Sequence, residues 1–157
     1  MNKQKTALVL GAGGFIGTHL VTDLKRQDVW VRGVDLKEPE YSASDADEFL
    51  IADLSTEAGM AASVDQEFDE VYQLAADMGG AGYIFSGEND AQVMQNSSLI
   101  NLLFLSSTEK YRPGKVLYTS SACVYPEHNQ MGGAKTADTA RSFSVKRLVQ
   151  TPEPVWC

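Results

Sequence analysis

The sequence predicts an α/β fold, a doubly wound parallel sheet of about five strands with helices on both faces. Short apolar runs of strand length alternate with stretches of helical periodicity, which is the pattern of βαβ units. A glycine-rich turn follows the first apolar run directly and opens the first helical stretch. With 157 residues, of which 43% are hydrophobic, the chain can bury the core of one domain.

The predicted elements follow one another in a regular order. The first strand is "TALVLG" (6–11), and the next helix (14–27) has one apolar stripe, formed by Ile16, Leu20, Val21 and Leu24. Four further strands are predicted at "VWVRGVD" (29–35), "EFLIADL" (48–54), "EVYQLAA" (70–76) and "KVLYTSS" (115–121). A long helix is predicted through "AQVMQNSSLINLLFLSS" (91–107). Ligands of such sheets bind beyond the carboxyl ends of the strands, where the motifs below fall.

The composition argues against several classes of partner. A formal net charge of −8 disfavours binding to nucleic acid or to an anionic membrane, because both need clustered Lys and Arg. The two cysteines, Cys123 and Cys157, have no metal-ligand spacing and indicate free thiols in a reducing compartment. The N-terminal apolar run is too short for a signal sequence and continues into glycines. We therefore expect a cytoplasmic protein without a metal.

The turn "GAGGFIG" predicts a dinucleotide site. Its GxxGxxG spacing allows a tight turn and a close approach of backbone to pyrophosphate, and the helix start offers free N–H groups. Asp35 ends the second strand, 18 residues after the last of these glycines, where its carboxylate can accept both ribose hydroxyls of an adenosine. This order is typical of a Rossmann nucleotide-binding half. The residues of the turn expected at the cofactor are Gly11, Gly14, Phe15, Ile16 and Gly17.

The acid at the second strand favours NAD, because Asp35 would repel the 2′-phosphate of NADP. Arg32 and Lys37 are near enough in sequence to keep NADP open as an alternative. Asp53 and Leu54 close the third predicted strand, where a side chain can meet the adenine. An aspartate that caps the next turn is the alternative explanation for Asp53.

Three motifs together resemble the extended short-chain dehydrogenase/reductase family, and within it the GDP-mannose 3,5-epimerases. They are "GAGGFIG", "LAADMGGAGYI" (74–84) and "SSACVYPEHNQ" (120–130). The first is shared by many dehydrogenases, whereas the other two are narrower. The resemblance covers residues 6–130. It implies a Rossmann-like fold and a nucleotide-sugar partner similar to GDP-mannose. The implied chemistry is transient oxidation at sugar carbon 4 by NAD, followed by proton removal and return.

The resemblance also implies roles for residues in the second motif and in the long helix. Leu74, Ala75 and Ala76 would contact NAD, and Gly79 would contact the substrate. A surface loop without a ligand is the alternative for the glycine segment. Asn96 matches a family position that helps to hold the active-site backbone near the cofactor, and an ordinary polar helix residue is the alternative.

Two residues of "SSAC" would act on the substrate by the same resemblance. Ser121 matches the catalytic Ser or Thr that hydrogen-bonds the reacting hydroxyl, and Cys123 matches the acid/base cysteine of the epimerases. A thiol with an ordinary pKa of about 8.5 can be tuned towards neutrality, which suits general acid–base catalysis. The alternative for Cys123 is a small apolar residue at a strand end.

The tyrosine and lysine pair that the family uses as its base has no match in a suitable place. The one Tyr-x-x-x-Lys spacing, Tyr111 and Lys115, contains Pro113 and Gly114, so the two side chains cannot share a helical face. No tyrosine follows residue 130. We therefore expect NAD binding with incomplete catalytic machinery in this chain.

The character of the sequence changes at residue 131. Residues 131–157 have four basic and two acidic residues, in contrast to the net charge of −8 for the whole chain. We expect residues 1–130 to form the NAD-binding domain and 131–157 to be a divergent tail, produced by a frameshift or a truncation relative to the family. A genuine short variant whose tail covers the sheet edge is the alternative.

Partners and function keep open alternatives. Family members are usually dimers through two long helices, of which residues 90–108 would be one, and the second has no counterpart here, so a homodimer remains an open expectation. One alternative function is that of another sugar-nucleotide dehydratase or reductase of the superfamily, which would not need Cys123. The other is a non-catalytic NAD-binding module.

Overall fold

The computed structural model describes residues 3–78, 83 and 86–120, which contain one parallel sheet with helices on both faces. The strands are β1 (Thr6–Leu10), β2 (Trp30–Asp35), β3 (Glu48–Ile51), β4 (Glu70–Gln73) and β5 (Lys115–Tyr118). The helices are α1 (Phe15–Arg26), α2 (Glu57–Ser63) and α3 (Asp90–Lys110). Within this part of the chain, no helix is long and apolar enough to cross a membrane.

The strand order is β3-β2-β1-β4-β5, and every neighbouring pair is parallel. The predicted doubly wound fold is therefore confirmed. Leu10 at the end of β1 pairs with Val34 on one side and with Gln73 on the other. This register brings the carboxyl ends of β1, β2 and β4 to one edge of the sheet, which we call the carboxyl edge.

Alternate side chains of the strands fill two separate cores. On one face Ala7, Val9 and Val31 pack with residues of α1, whereas on the other face Leu8, Leu10 and their neighbours pack with residues of α2 and α3. The buried stripe of α1 consists of Gly17, Val21 and Leu24, with Leu20 partly buried. The expectation that Ile16 belongs to this stripe is wrong, because its side chain is 64% exposed at the first turn.

The sequence prediction made three strands too long and missed one helix. The third, fourth and fifth strands end at Ile51, Gln73 and Tyr118. The apolar residues that follow β3 and β4 lie in loops. Leu54 is one of these loop residues, and it is buried. The missed helix is α2, in which Thr56 accepts a hydrogen bond from the Gly59 N–H (3.1 Å). Its seven residues are too few for a periodic apolar pattern.

At the opposite edge of the sheet, where the strands begin, the Glu70 carboxylate is buried. Glu70 begins β4, and its side chain contacts the Lys5 ammonium (2.9 Å), the Lys115 ammonium (3.5 Å) and the Tyr72 hydroxyl (2.9 Å). Burial works to raise the pKa of Glu70, but Lys5, Tyr72 and Lys115 outweigh it and hold the pKa below its usual range. Burial and the Glu70 carboxylate raise the pKa of Tyr72 to about 12.

We predict that Glu70→Gln lowers the free energy of unfolding by about 1 kcal/mol at pH 7, a small value because the two lysines are largely exposed. A carboxyl whose folded-state pKa is lowered adds stability above its unfolded pKa, near 4.3, and that stability is lost as the pH falls through the folded value. Urea unfolding of both proteins at pH 7 and pH 3 should therefore show a difference that shrinks at pH 3. Glu67→Gln, at an exposed neighbouring acid, is the control. A difference that is equal at both pH values, or shared by the control, would contradict this account.

Candidate functional site

A cleft of about 570 Å³ lies at the carboxyl edge of the sheet, between the loops that follow β1, β2, β3 and β4 and the first half of α3. Its volume is within the range of small-molecule sites, roughly 300 to 1,000 Å³. Nine of the residues proposed from the sequence line it: Gly11, Gly14, Asp35, Asp53, Leu54, Leu74, Ala75, Ala76 and Asn96.

The glycine turn after β1 has no room for side chains at two of its predicted positions. Gly11 has φ of +88°, and a Cβ there would lie 2.9 Å from the backbone nitrogen of Ala75. A Cβ on Gly17 would overlap the carbonyl oxygen of Gly11. Gly14 differs, because its nearest neighbour would be the Gly11 oxygen at 3.5 Å. Gly11 and Gly17 are therefore required by packing, whereas Gly14 keeps one wall of the cleft open.

Gly13 is a residue of this turn that the sequence reasoning missed. Its N–H donates to the Asp35 Oδ2 (2.9 Å), and a Cβ there would lie 2.5 Å from the Lys37 carbonyl oxygen. The GxxGxxG template passes over this position, although the adjacent glycines of "GAGG" were a signal. The glycine turn and the end of β2 are thus joined through one hydrogen bond.

The Asp35 carboxylate lies at the mouth of the cleft with a capacity for further hydrogen bonds. Its Oδ1 accepts from the Leu36 N–H (2.7 Å), and its Oδ2 accepts from Gly13. A carboxylate offers about four acceptor positions, so both oxygens can also accept from hydroxyl groups. The role of Asp35 towards a ribose stays a prediction.

The first turn of α1 presents no side chain to the cleft. Gly14 is the N-cap, and the side chains of Phe15 (82% exposed) and Ile16 are not among the cleft lining. The Phe15 ring instead lies edge-on to His19, with ring centroids 4.8 Å apart. The first N–H groups of a helix have no partner within the helix. Phe15 and Ile16 can thus serve an anion only through their N–H groups.

The loop after β3 supports the alternative role of Asp53. Its Oδ1 accepts from the N–H (2.9 Å) and the hydroxyl (2.6 Å) of Ser55, and its carbonyl accepts from the Thr56 hydroxyl (2.8 Å). Asp53 therefore shapes the turn into α2 while it also lines the cleft. Leu54 is buried in the core beneath it.

Helix α3 fixes the loop after β4. Asn96 donates from Nδ2 to the Asp77 Oδ2 (2.8 Å), and the Asp77 N–H donates to the Ser97 hydroxyl (3.2 Å). The Tyr83 hydroxyl lies 3.4 Å from the other Asp77 oxygen. Partial burial and the Asp77 carboxylate raise the pKa of Tyr83. Asn96 thus binds the side chain of Asp77, whereas Ser97 binds its backbone. The sequence reasoning did not name Asp77.

Arg32 is unavailable to the cleft. It is buried, with its guanidinium bound to Glu48 (2.7 Å) and Asp65 (2.6 Å) and placed 5.3 Å from the centre of the Phe68 ring. Of the two cations that kept NADP open in the sequence, only Lys37 lines the cleft.

Three proposed site residues, Gly79, Ser121 and Cys123, lie outside the described residues, as does the tail 131–157. Their predicted roles remain predictions.

Comparison with known proteins identifies the group to which this architecture belongs. A sequence model of the NAD dependent epimerase/dehydratase family matches residues 7–148, a range that extends past residue 130. The chain belongs to this family. The resemblance drawn from the sequence motifs is therefore confirmed at the family level.

The curated relatives include two plant enzymes. GDP-mannose 3,5-epimerase of Arabidopsis thaliana is 36% identical over 125 residues, which are 78% of this chain and 32% of that protein. GDP-mannose 3,5-epimerase 1 of Oryza sativa subsp. japonica gives the same identity and the same coverage. The chain thus spans about a third of the length of the curated relatives that it matches.

Solved structures of epimerases share the fold. A UDP-glucose 4-epimerase superimposes with a TM-score of 0.66 and 25% identity, over 78% of this chain and 37% of that one. The UDP-glucose 4-epimerase of Brucella ovis in complex with NAD gives a TM-score of 0.65 and 23% identity, over 77% and 37% of the two chains.

We predict that Gly17→Ala destabilises the protein by about 3 kcal/mol, because overpacking forces the helix away from the turn. Gly14→Ala is the matched control, with extended backbone at φ −74° and only an ordinary contact for a methyl group, and it should cost less than about 1 kcal/mol, the loss expected because alanine is a poorer N-cap than glycine. Chemical denaturation followed by circular dichroism measures both. Equal stability of the two variants would contradict the packing of α1 on the glycine turn.

Proposed function

We propose that this chain binds NAD in the cleft at the carboxyl edge. The observation that supports this best is the hydrogen bond from the Gly13 N–H to the Asp35 carboxylate, because it joins a carboxylate that could accept from a ribose to a turn with three glycines. The adenosine ribose would bind Asp35, and the pyrophosphate would bind the glycine turn and the N–H groups that open α1. When bound, NAD supplies the hydride acceptor.

The residues present fit such a cofactor. The nearest atom to a Cβ on Gly14 would be the Gly11 carbonyl oxygen at 3.5 Å, so the absence of a side chain there would allow a phosphate to approach the backbone. The loop after β4 contributes the small side chains of Ala75 and Ala76, together with Leu74, to the opposite wall. These positions are those for which the family resemblance implies contact with NAD.

The arrangement also supports NAD over NADP. If Asp35 binds the adenosine ribose, its negative charge would lie beside a 2′-phosphate, and like charges in close contact are strongly unfavourable. Arg32, which could have offset this repulsion, is held by two carboxylates on the α2 side of the sheet. Lys37 alone lines the cleft as a cation among the described residues.

Titration calorimetry with NAD and NADP tests the proposal and this preference. We expect the wild-type chain to bind NAD at least about tenfold more tightly than NADP, a difference of about 1.4 kcal/mol. Asp35→Asn should weaken the binding of NAD and narrow the difference between the NAD and NADP affinities. The asparagine lacks the negative charge, and its amide can accept from only one of the Gly13 and Leu36 N–H groups. Glu38→Gln removes a neighbouring exposed charge and should change neither affinity. No NAD binding by the folded wild-type chain would contradict the proposal.

We further propose that the chain is the NAD-binding portion of a nucleotide-sugar epimerase that acts on a GDP-mannose-like substrate. The support is the 36% identity to GDP-mannose 3,5-epimerases together with the "SSAC" motif. Oxidation of the sugar at carbon 4 makes the neighbouring carbon-bound protons acidic. Ser121 would hydrogen-bond the reacting hydroxyl, Cys123 would remove or return a carbon-bound proton, and Gly79 would approach the substrate.

We predict little or no epimerisation of GDP-mannose by this polypeptide alone, because its sequence offers no suitably placed Tyr-x-x-x-Lys pair. The family resemblance implies such a pair in the remaining part of the Arabidopsis thaliana relative, so a fusion of residues 1–130 to that part should form product. In the fusion, Cys123→Ser should lower the rate by at least about 100-fold, the usual contribution of a general acid–base group. Product formation can be followed by chromatography of the sugar nucleotides.

Two results would contradict these assignments. Turnover by the unfused chain at the rate of a complete enzyme would show that its catalytic machinery is sufficient. A fused Cys123→Ser variant as active as its parent would favour a dehydratase or reductase of the same family.

A further inference from the structure

A buried amide stands directly beneath the cofactor cleft. Gln73 is the last residue of β4, is 1% exposed, and faces α3 on the same side of the sheet as Val71. Its Nε2 donates to the Ala75 carbonyl (3.0 Å) and to the Asn101 Oδ1 (2.9 Å), and its Oε1 accepts from the Ala75 N–H (3.0 Å). One side chain therefore satisfies both backbone groups of Ala75.

These side-chain hydrogen bonds replace the backbone pairing of the sheet just beyond the end of β4. The pairing of β4 with β1 stops at Gln73, and the N–H of Leu74 makes a last bond to the Leu10 carbonyl (3.0 Å). Ala75 then lies beyond the ladder, with a backbone that would need other partners. The amide of Gln73 supplies them, so it acts as a short extension of the sheet into the loop.

The position of Ala75 matters because this residue touches the glycine turn. A Cβ on Gly11 would lie 2.9 Å from the Ala75 nitrogen and 3.1 Å from its Cα, so the two backbones are already in contact. Ala75 also lines the cleft. A shift of Ala75 would therefore move a wall of the cleft and press on the turn opposite.

Gln73 also connects three elements, through its side chain and through its backbone carbonyl. Asn101 of α3, which accepts from Gln73, donates from Nδ2 to the hydroxyl of Tyr118 at the end of β5 (3.2 Å). The backbone carbonyl of Gln73 accepts from both the N–H (3.3 Å) and the hydroxyl (3.2 Å) of Thr119. β4, α3 and β5 are thus held together where the cleft begins.

We propose that Gln73 is a positioning residue for cofactor binding, which holds Ala75 against the glycine turn through its own side chain and through Asn101. The inference rests on the proposed NAD function and adds a residue that does not touch the cofactor. Sites bind well only when their walls are held within about 0.5 Å by supporting hydrogen bonds. Gln73 provides that support for the β4 side of the cleft.

The test uses the full 157-residue chain and a variant that titrates. In Gln73→Glu the ionised carboxylate would face the Ala75 carbonyl and the Asn101 oxygen, two acceptors, whereas the protonated form can donate to one of them. Burial raises the pKa of such an introduced carboxyl. We therefore expect NAD affinity at least about tenfold below wild type at pH 8, with most of the loss recovered near pH 5.

Two further variants separate positioning from stability. Gln73→Leu removes every bond of the amide and should weaken NAD at least about tenfold at all pH values. Val71→Ala, one pleat away on the same strand face, removes core contacts but no bond to Ala75 and should leave NAD affinity unchanged. Affinity is measured by calorimetry under conditions in which circular dichroism shows each protein to be folded.

The possible results are distinct. The pH-dependent loss in Gln73→Glu, with Val71→Ala unaffected, supports the inference. Folded Gln73 variants that bind NAD like the wild type at every pH would overturn it, as would an equal loss in Val71→Ala. A wild-type chain that does not bind NAD would overturn the proposed function and this inference with it.

Discussion

The site depends on the absence of side chains in one turn. Gly11 lies against the backbone of Ala75, Gly17 lies against the carbonyl of Gly11, and Gly13 lies against Asp35 and the Lys37 carbonyl. Each glycine lets a different element approach β1: the end of β4, helix α1 and the end of β2. The resulting closeness brings hydrogen-bond donors and a carboxylate together at one edge of the sheet, where the strands of such folds meet their ligands.

The carboxylates at the two edges of the sheet differ in their partners. At the opposite edge, where the strands begin, the buried Glu70 carboxylate binds Lys5, Lys115 and Tyr72. Its negative charge is thus compensated by the two lysines. At the carboxyl edge, the hydrogen bonds that the Asp35 carboxylate accepts within the described residues come from backbone N–H groups, which leaves acceptor capacity for a ligand. A carboxylate thus binds other side chains at one edge and keeps free acceptor positions at the other.

The sequence was sufficient for the fold and for most of the cleft, because apolar periodicity and the glycine spacing are local signals. It was insufficient where a role depends on distant partners. Arg32 was a candidate for a phosphate until its partners Glu48 and Asp65, from other parts of the chain, were known. Gln73 reads as an interruption of an apolar run, and only the fold shows that it faces Asn101.

Backbone amide NMR of the 157-residue chain during a titration with NAD can locate NAD at the carboxyl edge. We expect shifts concentrated at the glycine turn (11–17), at Asp35 and Leu36, and at Leu74–Asp77. Resonances near Lys5, Glu70 and Lys115, at the opposite edge, should stay in place. Shifts at that opposite edge, or none at saturating NAD, would contradict this expectation.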